Sequence, residues 1–371
     1  MCRASLLNPD TQSADVAGQA DLAYQASILP GVSRTFALTI PVLPSPLSEV
    51  VTNAYLLCRL ADTIEDDVGL DDIQKSEFHE RFVAVVDGHG DADSFARDLL
   101  PLLSQRTLEA ERELVANTAA VIRVTAGFQP PVQAALRRCV RIMCQGMPLF
   151  QRNKSLSGLA DLEELGVYCY FVAGVVGEML TDLFCQHSSE LADKREELQA
   201  LAVSFGQGLQ MTNILKDVWD DQQADTCWWP RSVFQARGID LLDIADVHTT
   251  PEFADGLQEL VAVTHAHLRA ALEYTCLIPK RETGIRKFCL WAIGLAVLTL
   301  RKIHANPSFR SGEDVKVSRR TVKATIVTTN MTLMSNRALR MMFDRAADGL
   351  PLTEPTPFRG VGRYGTVSGA S

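Results

Sequence analysis

The sequence has 371 residues, of which 47% are hydrophobic and 22% charged, and its formal net charge is −9 at pH 7. This composition predicts a folded globular chain that is long enough to bury a core, and it is unlike that of disordered proteins. The acidic balance, without a basic block interleaved with aromatic residues, argues against nucleic-acid binding.

The cysteines and the apolar runs indicate the cellular compartment of such a chain. Nine cysteines are scattered without CxxC pairs or Cys/His clusters, which favours a reduced cytoplasmic protein over a disulfide scaffold or a zinc site. The N-terminus has no hydrophobic signal region. The most apolar run, "FCLWAIGLAVLTL" at 288–300, is too short to span a bilayer and predicts a buried helix. We therefore expect a cytoplasmic chain without a transmembrane anchor.

Helical periodicity dominates the chain, and strand signals are sparse. The pattern predicts helices over residues 17–29, 46–67, 72–87, 91–104, 109–126, 131–151, 158–186, 193–221, 253–277, 283–306 and 317–347. We expect a single all-α domain over 23–347. A partly flexible N-terminal segment over 1–22 precedes it, and a flexible tail over 348–371, rich in Gly, Pro, Ser and Thr, follows it.

The helix predicted over 46–67 has start and stop signals. Ser45 is expected as its N-cap, Pro46 as its first helical residue, and Gly69 at the position of a C-cap glycine. The helix ends in "LADTIEDDVGL" (60–70), which places several carboxylates in the last turn. Because this end carries the negative pole of the helix dipole, those anions are disfavoured unless a cation joins them.

A second acidic segment, "LQMTNILKDVWDD" at 209–221, lies in the helix predicted over 193–221. Asn213, Asp217 and Asp221 are spaced four residues apart, so their side chains share one helical face. Two helix ends that carry oxygen ligands could face each other across a bundle, as carboxylate metal sites in helical bundles do.

The first acidic segment has a similar arrangement. Tyr55, Arg59, Asp62 and Asp66 follow one helical stripe, with Glu65 beside it. The donors are oxygen atoms, without cysteine or clustered histidine, which favours Mg²⁺ or Mn²⁺ over zinc. Because Mg²⁺ usually completes its octahedron with water and substrate phosphate, the two segments predict a Mg²⁺-dependent diphosphate site.

Basic residues near both segments support this hypothesis, but other interpretations stay open. Arg34, Arg59 and Lys216 are candidates for neutralising phosphate oxygens. A single acidic run on a helix is usually a solvated face, and the spacing in 62–67 lacks the alternation of an EF-hand. The competing hypotheses are a prenyl-chain elongase or terpene cyclase, and a helical scaffold or lipid carrier whose acidic clusters are surface caps.

Several longer segments resemble a known family. In the order seen in squalene synthases, the chain carries "SRTFALTIPVLP" (33–44), "YLLCRLADTIEDD" (55–67), "YCYFVAGVVGEMLTDLF" (168–184), "LQMTNILKDVWDD" (209–221) and "CWWPRSVF" (227–234). Over roughly residues 23–341 the chain resembles the squalene/phytoene synthase family. The resemblance implies an all-α, isoprenoid-synthase-type bundle around a central cavity. It also implies Mg²⁺-dependent head-to-head condensation of two farnesyl diphosphates to presqualene diphosphate.

The resemblance carries residue roles over by position. The metal ligands would be Asp62, Glu65, Asp66, Asn213, Asp217 and Asp221. The diphosphate and tunnel residues would be Arg34, Tyr55, Arg59, Gln210, Lys216, Phe36, Phe171 and Phe288, although core packing is an alternative for each phenylalanine. Tyr168 matches the tyrosine of the first half-reaction and would be catalytic, together with the four aspartates. Lys216 stands where arginine is expected, which keeps the charge but loses the bidentate fork.

The resemblance also bears on which product the chain would form. "KFCLWAIGLAVLTL" (287–300) and "VKVSRR" (315–320) resemble the branch that reduces presqualene diphosphate to squalene with NADPH. Lys316, Arg319 and Arg320 would then contact the cofactor, whereas Ser318 stands where a basic residue is usual. The chain has no G-x-G-x-x-G fingerprint, so NADPH is implied by the resemblance alone. The alternatives are a dehydrosqualene or phytoene synthase without the reductive step, and a solvated basic turn at 315–320.

The resemblance also implies partners. Farnesyl diphosphate would be the substrate, and the apolar product would require peripheral membrane contact for its release. We expect a monomer, and no partner of nucleic-acid type.

Overall fold

The computed structural model describes residue 6, residues 16–354, residue 358 and residues 360–361. Most of the predicted N-terminal segment before residue 16, and most of the predicted tail after residue 354, lie outside the described residues.

The described part of the chain is helical and contains no β-strand, so the all-α prediction is confirmed. One isolated bridge pairs Leu159 with Pro230. The helices are α1 (Val16–Val32), α2 (Arg34–Thr39), α3 (Leu47–Asp66), α4 (Asp72–Val86), α5 (Ala92–Leu99), α6 (Glu109–Ala116), α7 (Thr118–Ala126), α8 (Pro130–Gln151), α9 (Leu162–Cys169), α10 (Val175–His187), α11 (Ser189–Ala192), α12 (Arg195–Lys216), α13 (Val218–Gln223), α14 (Arg231–Gln235), α15 (Ile244–Val247), α16 (Pro251–Leu277), α17 (Thr283–Ala305), α18 (Arg319–Thr332) and α19 (Asn336–Ala346). A π-helical segment, Tyr170–Gly174, joins α9 to α10.

Within the predicted domain over 23–347, the structure has two compact units. Unit 1 contains the described residues up to 152 and residues 179–195. Unit 2 contains residues 153–178 and the described residues from 196 onwards. The first acidic segment belongs to unit 1, and the second belongs to unit 2.

The core of unit 1 is built around α3, which packs against α1, α4, α7 and α8. Leu47, Val50, Leu57, Leu60 and Ile64 recur at helical spacing and are fully buried. Each such side chain stabilises the fold by about 1.5–3 kcal/mol relative to exposure. The buried stripe fixes α3 in the unit and thereby positions the carboxylates at its end.

In unit 2, α16 packs against α17, and two glycines allow another close helix pair. A Cβ at Gly177 would overlap the backbone carbonyl oxygen of Ala202, and one at Gly206 would overlap that of Ala173. The segment that carries the predicted catalytic tyrosine therefore lies directly against α12, which carries the second acidic segment.

Some predicted helix boundaries are wrong. The helix predicted over 109–126 divides at Asn117, where α6 ends and α7 begins. The helix predicted over 317–347 divides into α18 and α19 at residues 333–335. The segment over 91–104 is helical only to Leu99, followed by a 3-10 turn. The short helices α2, α11, α14 and α15 are too brief for hydrophobic periodicity to identify them.

The predicted caps of α3 are also wrong. Pro46 is the N-cap, Leu47 is the first helical residue, and Ser45 instead donates its hydroxyl to Glu49 Oε1 at 2.9 Å. At the other end, Asp67 is the C-cap. Gly69 lies beyond it and donates its backbone N–H to the Asp67 carboxylate.

Two long helical stretches are apolar enough to cross a membrane by length and composition alone. They are Leu162–His187 and Thr283–Ala305, and more than half of each apolar window is buried inside the structure. Such burial is typical of core helices. The run at 288–300 lies within the second stretch, so its prediction as part of a buried helix is confirmed.

Candidate functional site

Three predicted metal ligands lie on the last turn of α3 and differ in exposure. Asp62 is half-buried, Glu65 is buried and Asp66 is exposed. The last turn of α3 contains no basic residue of its own. Charges from outside that turn must therefore compensate both the carboxylates and the negative end of the helix dipole.

Arg59, one turn earlier, supplies part of that compensation. Its Nη1 lies 4.0 Å from Asp62 Oδ2, and its Nη2 forms an ion pair with Glu111 of α6. Although burial opposes the charged form, Asp62 and Glu111 raise the pKa of Arg59. Burial, followed by the charge of Asp66, raises the pKa of Asp62 to about 7. A bound cation would therefore relieve repulsion between these carboxylates.

Glu65 lies in a buried polar environment formed with α4. Lys75 Nζ donates to the Glu65 backbone carbonyl at 2.5 Å and thereby caps the end of α3. His79 Nδ1 lies 3.8 Å from Glu65 Oε2, and neither atom has a hydrogen-bond partner among the described residues. Burial raises the pKa of Glu65 to about 8 and lowers that of His79 to about 4. A buried carboxylate oxygen without a partner is suited to bind a cation.

Asp67, the last carboxylate of the run, has a structural role instead. Its carboxylate accepts hydrogen bonds from the backbone N–H groups of Gly69 and Ser104 at 2.7 and 3.0 Å, and from the Thr107 hydroxyl. It ties the end of α3 to the loop before α6. Its absence from the predicted ligands agrees with this geometry.

The "SRTF" segment lies beside the middle of α3. The Tyr55 hydroxyl donates to the Val32 backbone carbonyl at 3.0 Å, and its ring centroid lies 5.0 Å from that of Phe36. Ser33 caps α2 by accepting a hydrogen bond from the Phe36 N–H. Arg34 is exposed at the first position of α2. Tyr55 therefore anchors the segment that presents Arg34.

The second acidic segment lies on two helices, because the predicted helix over 193–221 is interrupted at Asp217. Helix α12 ends at Lys216, and α13 begins at Val218. Hydrogen bonds nevertheless continue in helical register, from Asp217 N–H to Asn213 O at 2.8 Å and from Asp221 N–H to Asp217 O at 2.9 Å. The four-residue spacing therefore still places these side chains on one side of the helix pair.

Asp217 contacts a cation and a loop. Lys216 Nζ lies 3.1 Å from Asp217 Oδ2. Burial raises the pKa of Asp217, although the charge of Lys216 opposes this. A Cβ at Gly312 would lie 3.3 Å from Asp217 Oδ1, and Trp219 Nε1 donates to the Phe309 carbonyl at 2.7 Å. The segment over 309–312 therefore covers the second acidic segment within unit 2.

Tyr168 is half-buried on α9 and stacks on Trp228, with ring centroids 4.2 Å apart and planes 11° from parallel. The π-helical segment begins two residues later, and such segments often occur at functional sites. Phe171 is fully buried and Phe288 is buried, which is consistent both with core packing and with the wall of an enclosed cavity. Gln210 is half-buried on α12, one turn before Asn213.

The basic loop predicted to hold a cofactor is exposed. Lys316 Nζ lies 2.5 Å from Glu313 Oε1, so its charge is partly neutralised. Arg319 and Arg320 are the first residues of α18. Ser318, which stands where a basic residue is usual, is the N-cap of this helix. The serine therefore has a structural explanation.

The oxygen donors of the two acidic segments suit Mg²⁺. Among the described residues, no three His, Cys, Asp or Glu side chains form a cluster that could hold a metal by itself. Mg²⁺ typically uses one or two protein carboxylates and takes its other ligands from substrate phosphates and water. The carboxylates of each segment fit that requirement, as does Glu65 Oε2, which accepts no hydrogen bond from the residues that the structure describes.

Sequence reasoning missed the residues that support these side chains. Glu111 binds Arg59 from 52 residues away along the chain, and no local pattern indicates that contact. Trp228 was visible only as part of the "CWWPRSVF" match. Lys75 and His79 lie on the buried face of α4. Their contact with Glu65 depends on how α4 packs against α3, which the sequence pattern does not indicate.

Comparison with known proteins identifies the family. A sequence profile described as squalene/phytoene synthase matches residues 29–321. The squalene synthase ERG9 of Candida albicans is 30% identical over 292 residues, covering 76% of this chain and 61% of that protein. This chain therefore spans about three fifths of that relative's length.

Solved structures share the fold. The complex of TcSQS with the ligand BPH1237 has a TM-score of 0.69 at 22% identity, covering 88% of this chain and 98% of the other. A dehydrosqualene synthase in complex with a ligand has a TM-score of 0.64 at 20% identity, covering 86% of this chain and 98% of the other. At these identities the similarity establishes the helical fold. Together with the profile, which spans most of the chain, it shows that this protein belongs to the squalene/phytoene synthase family.

Proposed function

We propose that this protein condenses two farnesyl diphosphates head-to-head to presqualene diphosphate, with Mg²⁺, and then reduces that intermediate to squalene with NADPH. The observation that carries this proposal is the first acidic segment. Asp62 and Asp66 repel each other on the end of α3, and Glu65 Oε2 is buried with no hydrogen-bond partner among the described residues. By their resemblance to the family's first aspartate-rich motif, these carboxylates would be the ligands of that Mg²⁺.

The basic residues would hold the substrate diphosphates. Arg59 is fixed by Glu111 and is always charged, so it can donate to a diphosphate oxygen with little loss of side-chain entropy. Arg34 is exposed at the start of α2, and Lys216 adjoins Asp217. When bound to the aspartates, Mg²⁺ would neutralise the leaving diphosphate. The proposed metal ligands are Asp62, Glu65, Asp66, Asn213, Asp217 and Asp221.

Tyr168 is suited to the chemistry that follows ionisation. A phenol can relay a proton without a fixed charge, and an aromatic face stabilises a cationic carbon. Stacking on Trp228 limits the rotation of the Tyr168 ring. Phe36, Phe171 and Phe288 are the proposed apolar lining, which would keep water from the carbocation.

The reductive step is the finer part of the proposal. Arg319 and Arg320 are exposed at the start of α18 and available to the phosphates of NADPH. Lys316 is the weaker candidate because it already forms an ion pair with Glu313. The alternative is a dehydrosqualene or phytoene synthase that lacks the reductive step. For release of a product without polar groups we propose peripheral membrane contact, and for assembly a monomer.

The diphosphate site can be tested by thermal unfolding with a non-hydrolysable farnesyl diphosphate analogue. We expect a clear rise in Tm only when Mg²⁺ and the analogue are present together, because ligand binding to the native state stabilises it. Asp62→Asn should keep the fold and lose this rise, since it removes a metal ligand without removing core packing. Farnesol is the control for binding of the apolar chain alone. A Tm rise with the analogue that needs no Mg²⁺, or an unchanged rise in Asp62→Asn, would indicate a lipid carrier instead.

A further inference from the structure

The exposed face of the α18–α19 pair carries an unusual combination of side chains. Val327 and Met331 lie one turn apart on α18 and are 59% and 82% exposed. Met334 follows at 57%, and Met341 on α19 is 63% exposed. Single exposed apolar residues are ordinary, but Val327 and Met331 at helical spacing, with two exposed methionines in the adjoining turn and helix, indicate an interaction surface.

The packing of α18 explains why this face points outwards. On its opposite side Thr329 is fully buried, and the Thr325 methyl group lies so close to α17 that a Cβ at Gly294 would meet it at 2.8 Å. That face is therefore committed to the core of unit 2. The stripe of Val327 and Met331 is left unpartnered among the described residues.

The charge of the same hairpin is opposite to that of the chain. Residues 315–347 contain seven lysines or arginines and a single aspartate, whereas the whole chain has a net charge of −9. Lys323 precedes Val327 by one turn, and Arg337 precedes Met341 by one turn. Both basic side chains are exposed and form no ion pair within the described part of the chain. The apolar row is thus flanked by available positive charge.

We propose that this face, defined by Val327, Met331, Met334 and Met341 with Lys323 and Arg337 beside them, docks onto an anionic lipid bilayer. Methionine side chains are flexible and adapt to an irregular apolar environment. Basic residues at their sides attract anionic head groups, and long stems allow them to stay at the head-group level. This arrangement is the one expected of a helix that lies in the membrane interface.

Charge argues against a second copy of this chain as the occupant. A two-fold symmetric dimer would place the same basic face against itself, and its lysines and arginines would repel. The role of this docking rests on the proposed function: a product without polar groups would pass from the enzyme directly into lipid. The docking itself needs neither substrate nor turnover, so its test is independent of the proposed function.

The test is flotation of the 371-residue chain with vesicles. We expect binding to vesicles of equal parts phosphatidylcholine and phosphatidylglycerol, little binding to phosphatidylcholine alone, and weaker binding as salt rises. Met331→Gln with Met334→Gln should weaken binding at least tenfold, which is roughly the effect of one exposed methionine that no longer enters lipid. Lys323→Gln and Arg337→Gln should each weaken it roughly fivefold.

Leu242→Gln is the matched control. Leu242 also lies in unit 2 and is 57% exposed, like Met334, but its neighbours in sequence include Asp240, Asp243 and Asp246. This variant should bind vesicles as the wild type does, and all variants should keep the wild-type Tm and condensation rate. The proposal is overturned by any of three results: no vesicle binding by the wild type, equal binding to both vesicle types, or unchanged binding by the methionine variant. A dimer that the methionine variant abolishes, seen by light scattering without lipid, would also overturn it.

Discussion

At the end of α3, Arg59 serves two carboxylates at once. Its ion pair with the buried Glu111 fixes the guanidinium, and Asp62 lies 4.0 Å from its other nitrogen. A fixed guanidinium costs less side-chain entropy when a diphosphate binds. The residue types and spacing of Asp62, Glu65 and Asp66 could be predicted from the sequence. Glu111 could not, because its contact depends on the packing of α6 and leaves no periodic signal.

Tyr168 gives the sharpest prediction at the scale of single residues. Tyr168→Phe keeps the ring on Trp228 and deletes the hydroxyl. If that hydroxyl relays a proton, presqualene diphosphate formation should fall by roughly 10²–10⁴-fold, the usual scale for general acid–base catalysis. Single-turnover measurement of the intermediate checks this.

Tyr170→Phe is the control for that variant. It deletes a neighbouring hydroxyl, which donates to Glu178 Oε2 at 3.3 Å, and it should leave the rate almost unchanged. If both variants formed presqualene diphosphate at the wild-type rate, Tyr168 would have a packing role only.

Two helical elements depart from regular geometry where the family motifs lie. Helix α12 stops at Lys216 and α13 resumes at Val218, and the "YCYFVAG" segment contains a π-helical turn over Tyr170–Gly174. The apolar periodicity predicts one continuous helix in each place. The π-helical turn shifts the side chains after it, whereas the break at Asp217 keeps the helical hydrogen-bond register. Neither adds a polar or glycine-rich gap, so the sequence pattern could not reveal them.

The close approach of α12 to this segment depends on glycine. Gly206→Ala should lower the free energy of unfolding by about 1–3 kcal/mol, because the added methyl group would overlap the Ala173 carbonyl oxygen and force the helices apart. Gly18→Ala on α1 is the control. Nothing lies within 4 Å of a Cβ there, so this variant should be neutral or stabilise the protein by up to about 1 kcal/mol. Urea unfolding measures both, and equal stabilities would contradict the packing described for α12.

His267 on α16 should make the stability depend on pH. Burial lowers its pKa from 6.5 to about 4, so the folded state holds the neutral ring. Its contribution to the free energy of unfolding is complete above pH 6.5 and is lost as the pH falls towards 4. In that range the histidine is protonated in the unfolded state but still neutral in the folded state. Between pH 7 and pH 5 the free energy of unfolding should therefore fall by about 2 kcal/mol more in the wild type than in His267→Gln. Denaturant unfolding at the two pH values checks this, and parallel losses would show that the ring is protonated in the folded state.

For the whole molecule, the all-α class and the family follow from the sequence, and the structure and the comparisons confirm both. The buried stripe of α3 and the two acidic segments were readable because hydrophobic spacing and charge are local properties. The two compact units were not, because contacts between distant segments decide which residues cluster together. From this region the sequence indicated only a cofactor loop at 315–320. The exposed face of α18 and α19 could not be predicted, because the exposure of Val327 and Met331 depends on which side of α18 packs against α17.

Product analysis from farnesyl diphosphate and Mg²⁺, with and without NADPH, tests the central claim most directly. The proposed function predicts presqualene diphosphate as the main product without NADPH, and squalene when NADPH is added. Chromatography with mass detection separates these products from dehydrosqualene and from chain-elongated diphosphates. Dehydrosqualene with or without NADPH would contradict the reductive step, and a failure to form any product with two joined farnesyl chains would contradict the condensation itself.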